Sequence, residues 1–312
     1  MSAATPPIDP ILQKVLDAVP FRLTTEGGVE AARQRFRALH RRPVHPQLRT
    51  EDRVIAGPAG DLPVRIYRPP NPGPHPVVVF FHGGGFAIGD LDTHDGTARE
   101  HAVGADAVVV SVDYRLAPEH PHPAAVEDAL AATEWVAAHA DELGADPARL
   151  AVAGDSAGGT LSAVVSQLAR DRGGPSIVFQ LLWYPGTTYD TTLPSFIENA
   201  DAPVMDRAAL AAFTRWYAGD DVDPRTPPPT MAPARAASLA GLPPAYIAVA
   251  GHDPLRDDGL RYADLLAAAG VAVQTDHAAT LVHGYLGYTG VVPAATEATE
   301  RGLAALRAAL HG

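Results

Sequence analysis

The sequence of 312 residues contains no cysteine, which excludes disulfide bonds, thiolate catalysis and metal sites built on cysteine. It also lacks any apolar run close to the roughly 18 residues that a membrane-spanning helix needs. Residues 1–20 do not combine a basic start with an apolar core, so we expect no signal peptide. These absences predict a soluble, cytoplasmic protein with no integral membrane segment.

Positive charge is scarce as well. The formal net charge is −12, from 24 Lys and Arg against 36 Asp and Glu. This balance argues against nucleic acid or an anionic membrane surface as the main partner. A hydrophobic content of 46% allows a large core, and we expect a small neutral molecule as the ligand. The oligomeric state stays open, and a homodimer is one state that the sequence allows.

Short apolar runs alternate with helical patterns over most of the chain, which is typical of an α/β protein. An antiparallel hairpin comes first, with its turn at residues 57–61. Strands are then predicted at 77–81, 107–112, 150–153, 177–182, 246–250 and 271–275, and helices between them at 124–139, 160–169 and 260–269. The repeated units imply a mostly parallel, doubly wound sheet that binds ligands beyond the carboxyl ends of its strands.

Two segments do not follow this alternation. Residues 1–48 hold amphipathic helical patterns at 10–19 and 29–39, and residues 187–241 hold one at 206–217. An insertion of this length in an α/β core is more often a lid than a structureless loop. We therefore predict one catalytic domain over residues 49–312, with a cap assembled from residues 1–48 and about 187–241.

One predicted strand ends in Gly154-Asp155-Ser156-Ala157-Gly158, and a helical pattern follows. This is the strand–turn–helix context of a G-x-S-x-G nucleophile elbow, in which small neighbours permit a strained turn that exposes the serine. On these five residues alone, an ordinary turn that contains a serine is the alternative. Ser156 is the candidate nucleophile.

A second motif, His-Gly-Gly-Gly-Phe at residues 82–86, follows the strand at 77–81. Consecutive glycines let backbone N–H groups approach a ligand closely, as stabilisation of an oxyanion requires. The candidate donors are Gly83 and Gly84, together with Ala157 directly after the nucleophile. A flexible glycine turn without this role is the alternative.

An aspartate is predicted to complete the site at the end of the strand at 246–250. A nucleophilic serine needs a histidine base and a carboxylate that orients the imidazole. Asp253 lies closest to the strand end and is the candidate, with a turn-forming Asp-Pro as the alternative. Asp257 and Asp258 lie where a helix begins, and N-capping is the role predicted for them.

Of the thirteen histidines, His283 is the candidate base. It follows Asp253 on a loop and completes the chain order serine, aspartate, histidine that hydrolases of this class share. By contrast, His101 and His139 are predicted to lie on helix surfaces, without a catalytic role.

With these residues, the chain resembles the hormone-sensitive-lipase-like esterases, the bacterial family IV branch of the α/β-hydrolases. The resemblance extends from about residue 50 to the C-terminus and rests on residues 82–86, 113–121, 154–159, 253–255 and 283–284. It implies an α/β-hydrolase fold, with a mostly parallel eight-stranded sheet flanked by helices and a helical cap. The residues it implies are the triad Ser156, Asp253 and His283, the oxyanion donors Gly83, Gly84 and Ala157, and His82 as a structural histidine below the glycine loop.

The predicted function is that of a carboxylesterase that needs neither cofactor nor metal ion. The resemblance implies short-to-medium acyl esters as substrates and a place in lipid metabolism. An amidase, a lactonase or a thioesterase would use the same groups. A ligand-binding protein without turnover is the alternative from another class, although such proteins usually lose a member of the triad.

The helix predicted at 206–217 offers candidates for substrate specificity. Leu210, Phe213 and Tyr217 fall on one face of it. We predict that Phe213 or Tyr217, with Phe86 from the glycine loop, forms the wall of an acyl pocket. The alternative is that this face only packs the cap onto the core.

Overall fold

The computed structural model describes residues 6–312, so the first five residues of the predicted cap lie outside the described chain. The strands are β1 (Arg49–Gly57), β2 (Gly60–Arg68), β3 (His75–Phe81), β4 (Val108–Val112), β5 (Ala145–Asp155), β6 (Ile177–Trp183), β7 (Ala245–His252) and β8 (Val273–Val282). The helices are α1 (Pro10–Ala18), α2 (Gly28–Arg37), α3 (Asp95–Ala105), α4 (Ala124–Ala138), α5 (Ala140–Leu143), α6 (Ala157–Arg172), α7 (Pro194–Glu198), α8 (Arg207–Ala218), α9 (Arg256–Ala268) and α10 (Pro293–His311). None of the helices within residues 6–312 is both long and apolar enough to cross a bilayer.

The strands form one sheet in the order β1-β2-β4-β3-β5-β6-β7-β8. β1 and β2 make the predicted hairpin, and β2 runs antiparallel to β4. All pairs from β4 to β8 are parallel, which confirms the predicted mostly parallel, eight-stranded α/β sheet. Because the parallel strands point the same way, the loops after β3, β5, β7 and β8 emerge at one edge.

Helices cover both faces of the sheet, and β3 shows why its sequence is apolar throughout. Val77 and Val79 pack into the core shared with α4 and α6. Val78 and Phe80 alternate with them and pack into the core shared with α3 and α10. A strand buried on both sides needs apolar residues at every position. This double burial fixes the strand that leads into the glycine loop.

The prediction that His101 lies on a helix surface is wrong, because its side chain is fully buried. Its ring lies 4.8 Å from that of Phe80, and its Nδ1 donates to the Thr97 carbonyl at 2.7 Å. Its Nε2 accepts from Trp183 Nε1 at 2.9 Å. Burial lowers the pKa of His101 to about 4, so the ring is neutral. This histidine is a core residue of the α3 side of the sheet.

The N-terminal segment and the insertion at 187–241 contact each other. Leu23 N donates to Val204 O at 2.7 Å, and Arg22 forms an ion pair with Asp206 at 2.9 Å. Asp206 also caps α8, since its carboxylate accepts from Ala209 N. The insertion contains α8 as predicted, and α7 in addition.

Candidate active site

Ser156 lies between the end of β5 and the start of α6, at φ 54° and ψ −116°. A positive φ is strained for a residue with a side chain. The flanking glycines are required sterically. A Cβ on Gly158 would lie 1.8 Å from the Phe81 carbonyl oxygen, and one on Gly154 would lie 2.3 Å from the Gly158 oxygen. The turn therefore has the tight geometry expected of a nucleophile elbow.

Ser156, His283 and Asp253 lie in one chain of hydrogen bonds. Ser156 Oγ is 2.9 Å from His283 Nε2, and His283 Nδ1 is 2.7 Å from Asp253 Oδ2. Asp253 is fully buried, and its other oxygen accepts from Leu255 N at 2.8 Å. A carboxylate on Nδ1 favours the tautomer whose Nε2 can accept the serine proton.

The elements that bring these residues together are longer than predicted at one point. β8 was expected to end near residue 275, whereas it continues to Val282 and delivers His283 directly to the sheet edge. β8 is the last strand of the sheet and therefore carries polar residues beyond residue 275. A prediction based on apolar runs does not identify such a polar segment as a strand.

The geometry of the glycine loop contradicts the prediction that Gly83 is an oxyanion donor. Gly83 N donates to Asp155 Oδ1 at 2.9 Å, and Gly83 does not line the cavity above Ser156. Its N–H group is therefore not free for an oxyanion. Gly84 and Gly85 line the cavity, as does Ala157. Within residues 6–312 the N–H groups of these three residues have no protein acceptor.

Gly85 is not among the donors predicted from the sequence, because three identical glycines in a row give no sign of which N–H group is already bonded. The positive φ values of Gly84 and Gly85, 119° and 59°, turn the loop back under the cavity. A Cβ at Gly84 would lie 2.2 Å from the Ile88 carbonyl oxygen, so glycine is required there.

His82 supports the glycine loop from below. Its Nδ1 donates to the Gly83 carbonyl at 2.8 Å, and its own carbonyl accepts from the Tyr114 hydroxyl at 2.7 Å. Its ring stacks on those of Tyr114 and His94, with centroids 4.3 Å and 5.1 Å away. Burial lowers the pKa of His82 to about 4, which keeps the ring neutral and its donor in place.

Asp155 is a residue of the site for which the sequence pattern predicts no role. It is buried directly beside the candidate nucleophile, Ser156, and its carboxylate accepts from Gly83 N. His94 Nε2 lies 3.8 Å from the same carboxylate. Burial raises the pKa of Asp155 to about 6, against the opposing effects of the Gly83 hydrogen bond and of His283. The signal in the sequence was a charged residue at a buried strand end.

A cavity of about 700 Å³ opens above Ser156 and His283. The N-terminal segment and α8 provide much of its wall, with Val15, Val19, Phe21, Leu23, Phe36, Leu210 and Phe213. Phe86 also lines this cavity. In the described part of the chain, no group of three acidic or histidine side chains is arranged to hold a metal ion.

Tyr217 does not line this cavity, contrary to one of the two predicted alternatives. It is buried behind Phe86, with the two rings stacked at 3.6 Å and 8°. Phe213 lies one turn earlier on α8 and does reach the cavity, where it packs on the glycine loop. A Cβ at Gly85 would come within 2.7 Å of the Phe213 ring. Leu210 and Phe213 of α8 line the cavity, as expected for one face of the helix, but Phe86 of the glycine loop lies between Tyr217 and the cavity.

Asp257 and Asp258 are not N-caps, because α9 begins at Arg256 and both lie within its first turn. Asp258 accepts from the N–H and hydroxyl groups of Thr188, at 2.9 Å and 2.8 Å, and from Thr187. Asp257 accepts from Ser195 N at 2.8 Å. Both carboxylates thus fasten the start of the 187–241 insertion beside the loop of Asp253.

Comparison with known proteins matches residues 78–287 to a family with the α/β hydrolase fold. The chain belongs to this family, in its hormone-sensitive-lipase-like esterase branch. It is 68% identical to esterase LipI of Mycobacterium tuberculosis, over 98% of this chain and 97% of that protein. It is 58% identical to carboxylesterase NlhH of the same species, over 99% and 98% of the two chains. The crystal structure of DphMB1 superposes with a TM-score of 0.94 at 67% identity, covering 98% of this chain and all of the other.

Proposed function

We propose that this esterase hydrolyses short-to-medium acyl esters through an acyl-enzyme formed on Ser156. His283 is the general base, and Asp253 is the carboxylate that orients it. The observation that carries the proposal is the unbroken chain of hydrogen bonds from Ser156 Oγ through His283 to Asp253, at 2.9 Å and 2.7 Å, on the floor of an apolar cavity.

In the first half of the reaction, Ser156 Oγ attacks the acyl carbon while its proton passes to His283 Nε2. The imidazolium that forms is stabilised by the buried Asp253 carboxylate. As the tetrahedral intermediate collapses, His283 returns the proton to the departing alkoxide. Water then attacks the acyl-enzyme with the same base, and the acid leaves.

The negative charge on the carbonyl oxygen needs donors that are free and aimed into the cavity. Gly84, Gly85 and Ala157 are the donors that we propose, because their N–H groups have no other acceptor within residues 6–312. Gly83 supports them indirectly, since its bond to Asp155 fixes the loop. Removal of one such donor typically costs about two to three orders of magnitude in kcat.

The substrate class follows from the cavity. Its volume of about 700 Å³ is in the range of sites that take drug-sized ligands. Aliphatic and aromatic side chains form most of its wall, so each buried methylene of an acyl chain gains about 0.8 kcal/mol until the wall is met. We further propose that residues 6–48 and 187–241 together form the cap above Ser156, as their mutual contacts and shared wall support.

The proposal is tested with para-nitrophenyl esters from acetate to dodecanoate, alongside matched anilides and thioesters. We expect turnover of the esters, with kcat/KM that rises with chain length and then falls once the chain no longer fits. Saturable binding of the esters without release of nitrophenol would instead identify a binding protein. Faster turnover of the anilides or thioesters would reassign the reaction.

A further inference from the structure

One cation stands out in the wall of the cavity. Arg41 follows α2 and lines the cavity together with apolar residues of the N-terminal segment. Its guanidinium lies over the ring of Phe36, 4.9 Å from the centroid. The Phe36 ring is in turn 5.8 Å from that of His94, another cavity residue. The charge is therefore embedded in an aromatic part of the wall.

Within the part of the chain that the structure describes, this guanidinium has no acidic partner. Its Nη1 donates to Leu39 O at 2.9 Å and more weakly to Arg37 O at 3.4 Å, and its Nη2 donates to Phe36 O at 2.8 Å. Among residues 6–312 no carboxylate comes within 4.0 Å of it. Burial lowers the pKa of Arg41, Asp90 opposes this effect, and Asp90 is itself paired with Arg37 at 2.8 Å. Two N–H groups remain, on the neighbouring nitrogens Nε and Nη2.

The other cationic side chains of the cavity differ in this respect. Arg215 and Arg225 also line it, but both are exposed to water, and Arg225 pairs with Asp223 at 2.8 Å. A half-buried cation in an apolar wall is costly unless an anion or acceptors complete it. Among the arginines of residues 6–312 that line the cavity, Arg41 is the one that combines partial burial with two free donors.

We propose that Arg41 binds a carboxylate carried by the substrate, so that the enzyme favours esters that have a second, ionised carboxyl group. This inference rests on the proposed ester hydrolysis at Ser156. Two donors on adjacent nitrogens match the two oxygens of a carboxylate. Among the acidic residues of the cavity, Asp258 is occupied by Thr187 and Thr188, so it does not compete for Arg41.

The position of Arg41 sets the spacing between the two groups of the substrate. The path from its guanidinium to the nucleophile runs over Phe36 and His94 to Asp155, the neighbour of Ser156. A carboxylate at Arg41 is therefore separated from the scissile ester by an apolar spacer. We expect selectivity for the carboxylate to appear only when that spacer is long enough to bridge the two.

The test compares each carboxylate ester with its methyl-capped, neutral twin. One series is the mono-para-nitrophenyl esters of succinate, adipate and suberate, and the other places a carboxyl group on the leaving phenol of a butyrate ester. We expect Arg41→Gln to lower the ratio of kcat/KM for charged over neutral ester about ten- to a hundredfold in at least one series. Arg41→Lys keeps the charge without the fork and should recover part of the ratio.

Arg42→Gln is the matched control, since Arg42 is the neighbouring, exposed arginine outside the cavity. It makes the same change in net charge and should leave the ratio unchanged. An equal effect of Arg41→Gln and Arg42→Gln on the ratio would overturn the proposal. So would an equal loss on charged and neutral esters, because that result assigns Arg41 only to capping α2.

A binding measurement separates this inference from the proposed chemistry. In Ser156→Ala, calorimetry with the charged esters should show affinity that falls about tenfold or more when Arg41→Gln is added. Affinity independent of Arg41 overturns the carboxylate site, whatever the fate of the nucleophile assignment. Continued ester turnover by Ser156→Ala would contradict the proposed nucleophile and leave the binding result to stand on its own.

Discussion

The sheet edge and the facing wall of the cavity are held in different ways. At the edge, Ser156, Asp253 and His283 follow three parallel strands and are fixed by hydrogen bonds of 2.7–2.9 Å. On the wall, the N-terminal segment and α8 present aliphatic and aromatic side chains that are held by packing. Hydrogen bonds of this kind depend on direction and distance, whereas apolar contacts tolerate changes of shape.

We expect this difference to separate the residues that set the rate from those that set selectivity. Changes at the edge should alter the rate for every ester, because they act on the transition state common to all of them. Changes on the wall should alter the rates for some esters and not others. A substitution at the edge that alters the rate for only some esters, or one on the wall that alters it equally for all of them, would contradict this division.

The largest effect is expected at Ser156, the proposed nucleophile. Ser156→Ala should fold normally and lower kcat for ester hydrolysis by several orders of magnitude, because no acyl-enzyme can form. Ser162→Ala is the matched control, since Ser162 lies in α6, the helix that begins directly after Ser156, and its hydroxyl bonds only the Gly158 carbonyl. If Ser156→Ala retained a tenth of the wild-type rate, a threshold of roughly one order of magnitude, Ser156 would not be the nucleophile.

A smaller but still large loss is expected for Asp253→Asn. The amide keeps the size of the side chain but does not hold the tautomer of His283 that accepts a proton, and kcat should fall about a thousand- to ten-thousandfold. Asp257→Asn changes a carboxylate four residues along the chain that contacts Ser195 and Arg256 instead. If the two variants lost similar amounts of activity, Asp253 would have no special position.

Asp155 lies at the sheet edge but does not touch the reacting atoms, so its substitution tests whether a group that only positions the edge also alters the rate. Asp155→Ala releases Gly83 and should lower kcat about ten- to a hundredfold as the oxyanion donors lose their position. Asp155→Asn keeps an oxygen acceptor for Gly83 and should recover most of that loss. Equal rates for the two variants would show that the bond to Gly83 does not matter.

Stability against pH gives a second measure of Asp155. Burial raises its folded pKa to about 6, so the protonated form is favoured in the folded protein. Its stabilising contribution is present at low pH and is lost as the pH rises through about 6. At 1.36 kcal/mol per pKa unit, the free energy of unfolding of Asp155→Asn should exceed that of wild type by up to about 3 kcal/mol at pH 8.

Urea unfolding of the two proteins from pH 8 to pH 4 checks this expectation. The difference between them should stay nearly constant while the pH is above the folded pKa of about 6 and should shrink as the pH falls below it, while the effects of other groups cancel. A difference that does not vary with pH would show that the charge of Asp155 carries no cost in the folded state.

The smallest and most selective effect is expected on the wall. Phe213→Ala should shift the preferred acyl chain to greater length, with a change of a few-fold in kcat/KM for long esters, since about one side chain of apolar space is opened. The smallest ester should respond little. Tyr217→Phe is the control, because Tyr217 lies behind Phe86 outside the cavity. An unchanged chain-length profile with lower stability would make Phe213 a packing residue only.

The strands of the core could be predicted because parallel strands covered on both faces are apolar at every position. The extent of β8 could not, since its polar residues, such as Asp276 and His277, lie on the edge of the sheet. His101 was misjudged for a related reason. A polar residue in a helix with a weak pattern becomes buried only through a partner distant in sequence, here Trp183.

The sequence pattern places Ser156 on a turn and Asp253 at a strand end, and it selects His283 on a loop from the order of the three residues along the chain. The structure joins the side chains of these three residues by hydrogen bonds. The sequence could not show which N–H groups of the glycine loop are free, because this depends on the hydrogen bond between Gly83 and Asp155. The exclusion of Tyr217 from the cavity is likewise a matter of packing, since only the folded loop brings Phe86 over its ring.

The most direct test of the proposed acyl-enzyme on Ser156 is covalent labelling. A para-nitrophenyl alkylphosphonate should react once per chain and release nitrophenol, and peptide mapping by mass spectrometry should find the adduct on Ser156. The label should be absent from Ser156→Ala and present in Ser162→Ala. An adduct on another residue, or full ester turnover by a protein that no phosphonate can label, would contradict the acyl-enzyme mechanism proposed for this site.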